Sequence, residues 1–253
     1  PSDVTLILFT EYFNWLGELG IGARSQARMI SALKAFYKYL LVDEIIDKNP
    51  TELLETPKLA RKLPEILSVE EIDLMMQCID LSKKEGQRNK AIIETLYSCG
   101  LRVSELVNLL VSNLHFDEGY ISVIGKGNKQ RLVPISNKAI KEITLYFKGD
   151  RVHLDIQRHH EDYVFLNRRG KQLTRVMIFT LIKELVKAAG IKKNVSPHTF
   201  RHSFATHLVD GGADLRAVQE MLGHESILTT EIYTHLDRHY LKNTIMMYHP
   251  RAT

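Results

Sequence analysis

The sequence predicts a mainly α (α+β) protein with a helical N-terminal domain and a mostly helical second domain that carries a small antiparallel sheet. Apolar residues recur at helical spacing over most of the chain. One pair of alternating, β-branched segments, at residues 119–124 and 130–135, flanks a glycine-containing turn. A stretch with prolines and cations at residues 56–65 separates two unlike parts. We therefore predict domains at residues 1–60 and 61–253.

Two amphipathic helices are predicted in the first domain, at residues 3–18 and 24–42. A short helical turn is predicted to begin at Asn49-Pro50. The second helix has an apolar stripe that should face inward, formed by Ile30, Leu33, Phe36, Tyr37 and Leu40.

The second domain should open with a helix at Ser68, because Ser68 and Glu71 have the spacing of a capping box. The next helix should run to Cys99 and stop at Gly100. Pro134 cannot donate a ladder hydrogen bond, so the strand at 130–135 should lie at an edge. A short apolar segment at 163–166 is a further strand candidate, and the rest of the domain is predicted to be helical.

Composition indicates an ordinary globular protein, with 44% apolar and 25% charged residues. Residues 1–60 carry six Lys/Arg and eight Asp/Glu, which is a net charge of −2. Because the whole chain has a net charge of +4, residues 61–253 carry +6. This charge suits a polyanionic partner. No apolar run approaches the ~20 residues of a membrane span, so no membrane association is expected. Cys78 and Cys99 form no metal or redox motif, and a cytoplasmic protein with reduced thiols is expected.

The sharpest local signal is the segment from Ser196 to Leu208. Ser196 and Pro197 suit the start of a helix, so His198 and Arg201, three residues apart, would share one face near its N-terminus. Such a position favours an anion. The alternative is that both are ordinary surface residues. A zinc pair of His198 and His202 is disfavoured, because Thr199 stands where a metalloprotease helix has Glu.

A second signal lies at residues 214–235. A helix with Leu215, Val218, Met221 and Leu222 inward should end at Gly223, just before His224. A second short helix would carry Tyr233. Helix, glycine turn and helix are also the order of a DNA-reading helix-turn-helix, so a non-catalytic regulator is the alternative interpretation.

Two further cations stand at exposed turns. Arg102 follows the Gly100 stop, and Ser104 should cap the next helix. Lys126 lies at the tip of the predicted hairpin. The alternative for Lys126 is a solvated turn cation without a function.

These motifs resemble, in order and spacing, those of the tyrosine recombinase (phage-integrase-like) family, and most closely its Xer branch. The resemblance covers residues 20–251. It rests on five segments, Gly-Leu-Arg102-Val-Ser-Glu-Leu, Gly-Lys126-Gly-Asn-Lys, His198-Thr-Phe-Arg201-His, Leu-Gly-His224 and Thr-Thr-Glu-Ile-Tyr233-Thr-His.

The resemblance implies a catalytic set around a scissile phosphate, made of Arg102, Lys126, His198, Arg201, His224 and Tyr233. Tyr233 would be the nucleophile, in preference to Tyr240 and Tyr248, and Glu105 would support the first arginine. Guanidiniums suit this role because they bind phosphate oxygens in bidentate fashion. His198 is the candidate base, His224 a phosphate hydrogen-bond donor and Lys126 the candidate acid. The resemblance implies no cofactor and no metal.

The resemblance implies three kinds of partner, which are double-stranded DNA recombination sites, a homo- or hetero-tetramer assembled on DNA, and a regulatory protein. The family implies chromosome dimer resolution or mobile-element integration, and a topoisomerase that only nicks and rejoins would use the same residues. The last helix has Leu241, Ile245 and Tyr248 on one face, and the family resemblance implies that it docks into a neighbouring subunit. The alternative is that it folds back onto its own domain. The N-terminal domain of the family has more helices than the two predicted here, so its first helices are expected to be missing from this chain.

Overall fold

The structure, a computed structural model, describes residues 4–58, 65–125, 130–223 and 235–252. The chain forms two compact units, Pro1–Leu63 and Pro64–Thr253. The first unit contains helices α1 (Leu6–Glu18) and α2 (Ala23–Val42). The helices of the second unit are α3 (Val69–Gln77), α4 (Gly86–Cys99), α5 (Val103–Val107), α6 (Asn137–Gly149), α7 (Arg175–Ala188), α8 (Pro197–Asp210), α9 (Leu215–Leu222) and α10 (His235–Tyr248), with short 3-10 helices at Val111–Asn113 and Arg151–His153.

The first unit packs α1 on α2 around its own apolar core. Ile30, Tyr37 and Leu40 of the predicted stripe are buried, but Phe36 is 50% exposed. Ala27 takes the remaining inward position, so the buried face of α2 is rotated relative to the predicted one. A hydrogen-bonded turn begins at Asn49-Pro50 as predicted, and the Asn49 side chain accepts from the Thr51 N–H at 2.9 Å.

Helix α3 begins with the predicted capping box. Ser68 Oγ accepts from the Glu71 N–H at 3.2 Å, and Glu71 Oε2 accepts from the Ser68 N–H at 2.8 Å. These two bonds satisfy backbone donors that a helix start leaves without partners. The prediction of a helix start at Ser68 is therefore confirmed.

Across the described ranges, the sheet has three antiparallel strands in the order β1 (Leu114–His115), β2 (Tyr120–Ile124) and β3 (Gln130–Pro134). The hairpin of β2 and β3 and the edge position of β3 confirm the sequence predictions, whereas β1 was not predicted. The strand candidate at 163–166 is wrong. Its central residues are buried, but it forms only isolated bridges, from Tyr163 to Leu110 and from Leu166 to Gln172.

Gly100 ends α4 as predicted, in the left-handed conformation with φ of 56°. A Cβ atom at this position would lie 2.8 Å from Cε1 of Phe204 on α8. The same residue thus provides a backbone conformation that L side chains rarely adopt and the space for an aromatic ring of the core. Helices α4 and α8 pack together at this point.

Helix α10 folds onto its own unit, against α8, α9 and β3. Leu241 and Ile245 are each 1% exposed, while Tyr248 is 36% exposed. Donation of this helix to a neighbouring subunit stays a prediction, because in the single chain α10 packs on its own unit. The physical reason is that the apolar face of α10 finds a complementary surface within its own core cluster.

The residues after α10 form a second anchor. His249 is 4% exposed, and its ring lies 4.8 Å from the ring of Tyr97 and 5.3 Å from that of Phe204. Arg251 pairs with Asp73, and its Nε lies 3.8 Å from the buried Glu94 carboxylate. Burial, and then the neighbouring His207, lower the pKa of His249 to about 3.

We expect acid to destabilise the second unit through His249. The unfolded chain binds a proton on His249 near pH 6.5, whereas the folded protein keeps it neutral down to about pH 3. The free energy of unfolding should therefore fall as the pH drops from 6.5, by about 2 kcal/mol at pH 5 from this group alone. Urea unfolding between pH 7.5 and 5 measures this slope.

The substitution His249→Phe should lower by about one the number of protons taken up on unfolding at acid pH, because Phe fills the aromatic site without titrating. His153→Gln is the control, since His153 is exposed on a short helix. An unchanged slope in His249→Phe would show that other groups cause the acid sensitivity.

Candidate active site

The site is built around Glu105, which lies in the first turn of α5 and is 4% exposed. Its Oε2 accepts from the backbone N–H of Arg102 at 2.8 Å. Arg102, and not Ser104 as predicted, is the N-cap residue of α5. The reason is that the Glu105 carboxylate reaches back to the backbone of residue 102 and so defines the helix start there.

Three guanidiniums surround this one carboxylate. Glu105 Oε1 lies 2.8 Å from Arg102 Nη1 and 2.7 Å from Arg131 Nη1. Arg131 Nη2 donates to Oε2 at 2.9 Å, so its bond to Glu105 is bidentate. Arg201 Nη1 lies 3.9 Å from Oε2. Residues from α5, β3 and α8 thus converge at one point.

The same three arginines donate to successive carbonyls at the end of α9. Arg131 Nε donates to the Met221 carbonyl at 3.0 Å, and Arg102 Nη2 donates to the Gly223 carbonyl at 3.5 Å. Arg201 also donates to the Gly100 carbonyl at 2.7 Å. The pairs are Arg131 with Met221, Arg201 with Leu222 and Arg102 with Gly223. The helix end suits this arrangement because the negative end of its dipole faces the cations.

Counted over the described residues, the cluster has an excess of positive charge, since three guanidiniums face one carboxylate. Burial, and then repulsion from Arg102, lower the pKa of Arg201 to about 10. Burial alone would raise the pKa of Glu105, but hydrogen bonds and charge from Arg131 and Arg102 hold it below its usual range. Arg102 is the most exposed of the three, with 37% of its side chain accessible. An anion at this exposed edge would balance the charge.

The structure brings together two of the six predicted site residues, Arg102 and Arg201. His198 is exposed in the first turn of α8, one turn before the buried Arg201. The two therefore share a helix, but the hydrogen bonds of Arg201 turn it toward α9 and Gly100. Lys126, His224 and Tyr233 lie outside the described residues. The alternative that His198 and Arg201 are both ordinary surface residues is wrong for Arg201, which is 8% exposed.

Sequence reasoning missed Arg131. In the alternation of β3, Arg131 shares a face with Val133, which is fully buried, so the strand pattern places a charged residue toward the core. A buried charge requires a partner, and this was the signal that could have found it. The inward set of α9 was also partly wrong, because Leu215 is 58% exposed and Ala217 takes its place.

Within the described residues, no group of three or more His, Cys, Asp or Glu side chains could hold a metal ion. The same part of the chain contains no helix with the length and apolar character required to cross a membrane.

The fold and the site together are a mostly helical domain with three arginines around one buried carboxylate. Comparison with known proteins gives its family. Residues 65–239 match the phage integrase family. The tyrosine recombinase XerD of Chlorobaculum tepidum is 46% identical over 258 residues, which cover 100% of this chain and 82% of that protein.

Solved structures agree with this placement. The crystal structure of the XerA recombinase is 32% identical, with a TM-score of 0.58, over 99% of this chain and 85% of that one. The XerH site-specific recombinase bound to difH substrate, in a pre-cleavage complex, is 26% identical, with a TM-score of 0.70, over 89% of this chain and 65% of that one.

The chain belongs to the phage integrase family. Within it, the chain is a tyrosine-type site-specific recombinase, as its motifs predict. The interpretation as a non-catalytic helix-turn-helix regulator gives way to this assignment, because the similarity extends over the whole second unit and not only over α9 and the residues after it.

Proposed function

We propose that this recombinase cleaves and rejoins DNA through a 3′-phosphotyrosyl bond on Tyr233, with Arg102, Arg201, His198, His224 and Lys126 at the scissile phosphate. One observation supports this proposal above all. Arg102 and Arg201 meet around one buried carboxylate at the end of α9, and the chain continues from that helix into the segment that carries His224 and Tyr233.

The arginines suit phosphoryl transfer. A phosphodiester resists nucleophiles because its non-bridging oxygens are negative, and guanidiniums can hold these oxygens and stabilise the charge of the pentacoordinate state. Glu105 neutralises only one of the three local cations, so the site keeps positive charge for the substrate. Removal of one such preorganised donor typically costs about 10²–10³ in rate.

The proposed step exchanges one ester bond for another. The phenolic oxygen of Tyr233 gives its proton to a base, for which we propose His198, and forms a bond to phosphorus. The bond from phosphorus to the deoxyribose 5′-oxygen breaks, and that oxygen takes a proton from Lys126. Because a 5′-hydroxyl can attack the phosphotyrosine in turn, the step is reversible and needs no nucleotide.

The proposed partners are double-stranded DNA recombination sites, on which the protein acts as a homo- or hetero-tetramer in the cytoplasm. The XerD relative and the XerH complex with difH substrate support DNA as the partner, and so does the basic second domain. We propose residues 1–60 as part of an N-terminal DNA-binding domain and residues 61–253 as the catalytic domain. Chromosome dimer resolution is favoured over mobile-element integration, because the curated relatives are tyrosine recombinases XerD.

The covalent bond to Tyr233 is the decisive test. We expect Tyr233→Phe to abolish covalent adducts on a nicked recombination site and to leave DNA affinity nearly unchanged, because one hydroxyl adds little to a phosphate-dominated interface. Denaturing electrophoresis and mass spectrometry of the adduct measure the first, and titration at fixed salt measures the second. Tyr240→Phe is the matched control, since Tyr240 is 52% exposed and should be dispensable. Strand exchange by Tyr233→Phe would contradict the proposal.

The acid role of Lys126 has its own test. We expect Lys126→Ala to slow cleavage of a normal phosphodiester by about 10²–10⁴-fold, and to slow cleavage of a 5′-bridging phosphorothiolate much less, because a thiolate leaves without a proton. Lys148→Ala, an exposed lysine on α6, should leave both rates unchanged. Equal losses on the two substrates would remove Lys126 from this role.

A further inference from the structure

We propose that Arg131 is a positioning residue for DNA cleavage, which fixes Glu105 and the end of α9 so that Arg102 can present its exposed edge to the scissile phosphate. The inference rests on the proposed function and assigns a role to a residue outside the predicted catalytic set. Arg131 acts through Arg102 and has no contact with the substrate.

The geometry of Arg131 leaves little freedom. The residue is 7% exposed, and it uses all three of its guanidinium nitrogens. Two of them hold Glu105, at 2.7 and 2.9 Å, and Nε donates to the Met221 carbonyl at 3.0 Å. One side chain thereby joins β3, α5 and α9. A lysine could not make this connection, because its ammonium is a point charge and lacks the planar fork.

Arg131 binds both oxygens of the Glu105 carboxylate, and this limits how Arg102 can bind the same carboxylate. The Arg102 guanidinium contacts the carboxylate through Nη1, and among the described residues its other hydrogen bond goes to the Gly223 carbonyl at 3.5 Å. Without Arg131, both carboxylate oxygens would be open to a bidentate pair with Arg102, or to Arg201, which already lies 3.9 Å away. Arg131 therefore holds Glu105 in an orientation in which the carboxylate supports Arg102 through one nitrogen and does not bind the other nitrogens of the Arg102 guanidinium.

Arg131 also fixes the position where α9 ends. Gly223 has a φ of 62°, and a Cβ atom there would lie 2.9 Å from Arg131 Cδ and 3.1 Å from its Nε. The backbone of Gly223 thus rests directly against the guanidinium, and its carbonyl accepts from Arg102. Both the arginine that would bind phosphate and the helix end beside it depend on the same side chain.

The test is the single-turnover rate of covalent adduct formation by Arg131→Lys. We expect the rate to fall by roughly 10- to 100-fold. This is the range found for residues that orient the ligands of a metal ion without touching the metal. DNA affinity should stay within about twofold, because the buried side chain neutralises no phosphate. Arg88→Lys is the matched control. Arg88 is a largely buried arginine that donates to the Leu166 carbonyl at 3.0 Å, away from the site, so its loss affects stability and not cleavage.

A double-mutant cycle separates positioning from a general structural role. If Arg131 acts through Arg102, the loss caused by Arg131→Lys should largely disappear when Arg102 is already replaced by Lys. Additive losses, or a wild-type rate in Arg131→Lys, would overturn the inference.

A second variant covers the case in which Arg131→Lys does not fold. Glu105→Asp keeps the charge but shortens the side chain, so the carboxylate can no longer reach both Arg131 and Arg102. We expect a similar loss of rate, and a wild-type rate would overturn the inference. The proposed function is tested separately, because its failure would appear as a wild-type protein that forms no adduct on Tyr233.

Discussion

Replacement of Glu105 by Gln is expected to reduce both the stability of the second unit and its cleavage rate. Glu105 is buried and accepts hydrogen bonds from Arg102 and Arg131. The amide of Gln would remove the negative charge that faces the three arginines and would turn an N–H donor toward a guanidinium donor. Breaking a buried pair in this way typically costs about 3–5 kcal/mol.

The expected fall in melting temperature is roughly 10 °C for a domain of this size. Cleavage should fall by more than about 10²-fold, since Arg102 and Arg201 both lose their alignment. Thermal unfolding and adduct formation measure the two effects. Glu142→Gln is the control, because Glu142 is a mostly buried carboxylate on α6 that pairs with Gln87 and Lys90 instead. If Glu105→Gln melted and cleaved like the wild type, Glu105 would not be the centre of the site.

Ending the chain after Leu236 is expected to unfold most of the second unit. The deletion removes Leu241 and Ile245, each 1% exposed, together with the buried His249. Loss of a buried Leu or Ile side chain costs about 2–5 kcal/mol. Two such losses approach the total stability of a typical domain, about 5–15 kcal/mol.

Urea unfolding and circular dichroism of the truncated chain test this expectation. The substitution Ile245→Ala should reproduce part of the loss, whereas Met247→Ala, at a residue that is 72% exposed, should have little effect. A truncated chain as stable as the full one would mean that α10 contributes nothing to its own unit, as expected for a helix donated to a neighbouring subunit.

Local signals predicted the elements that depend on local chemistry. The Ser68 capping box, the Gly100 stop and the paired strands around residue 127 each involve residues close together in the sequence, and the structure has the helix start, the helix end and the hairpin in those places. Helix faces were predicted less well. Phe36 and Leu215 fit an apolar stripe by spacing, but both are exposed, whereas the smaller Ala27 and Ala217 of the same helices are buried.

The site was only partly predictable because its central contacts join residues that are far apart in the sequence. Arg131 and Glu105 are 26 residues apart, and their pairing depends on how β3 packs against α5. The motifs led to Arg102 and Arg201 through family resemblance, and their convergence on one carboxylate required the fold. The roles of Lys126, His224 and Tyr233 stay predictions.

Gly100 has a consequence for how this sequence can change over time. Its carbonyl accepts from Arg201, its backbone is left-handed, and Phe204 occupies the space where a side chain would be. A smaller residue at position 204 would relieve the steric clash of an alanine at position 100, but not the unfavourable φ. No single compensating substitution can therefore open position 100 to other residues. Substitutions in the core around α4 and α8 therefore have to keep glycine at position 100, next to the arginine cluster.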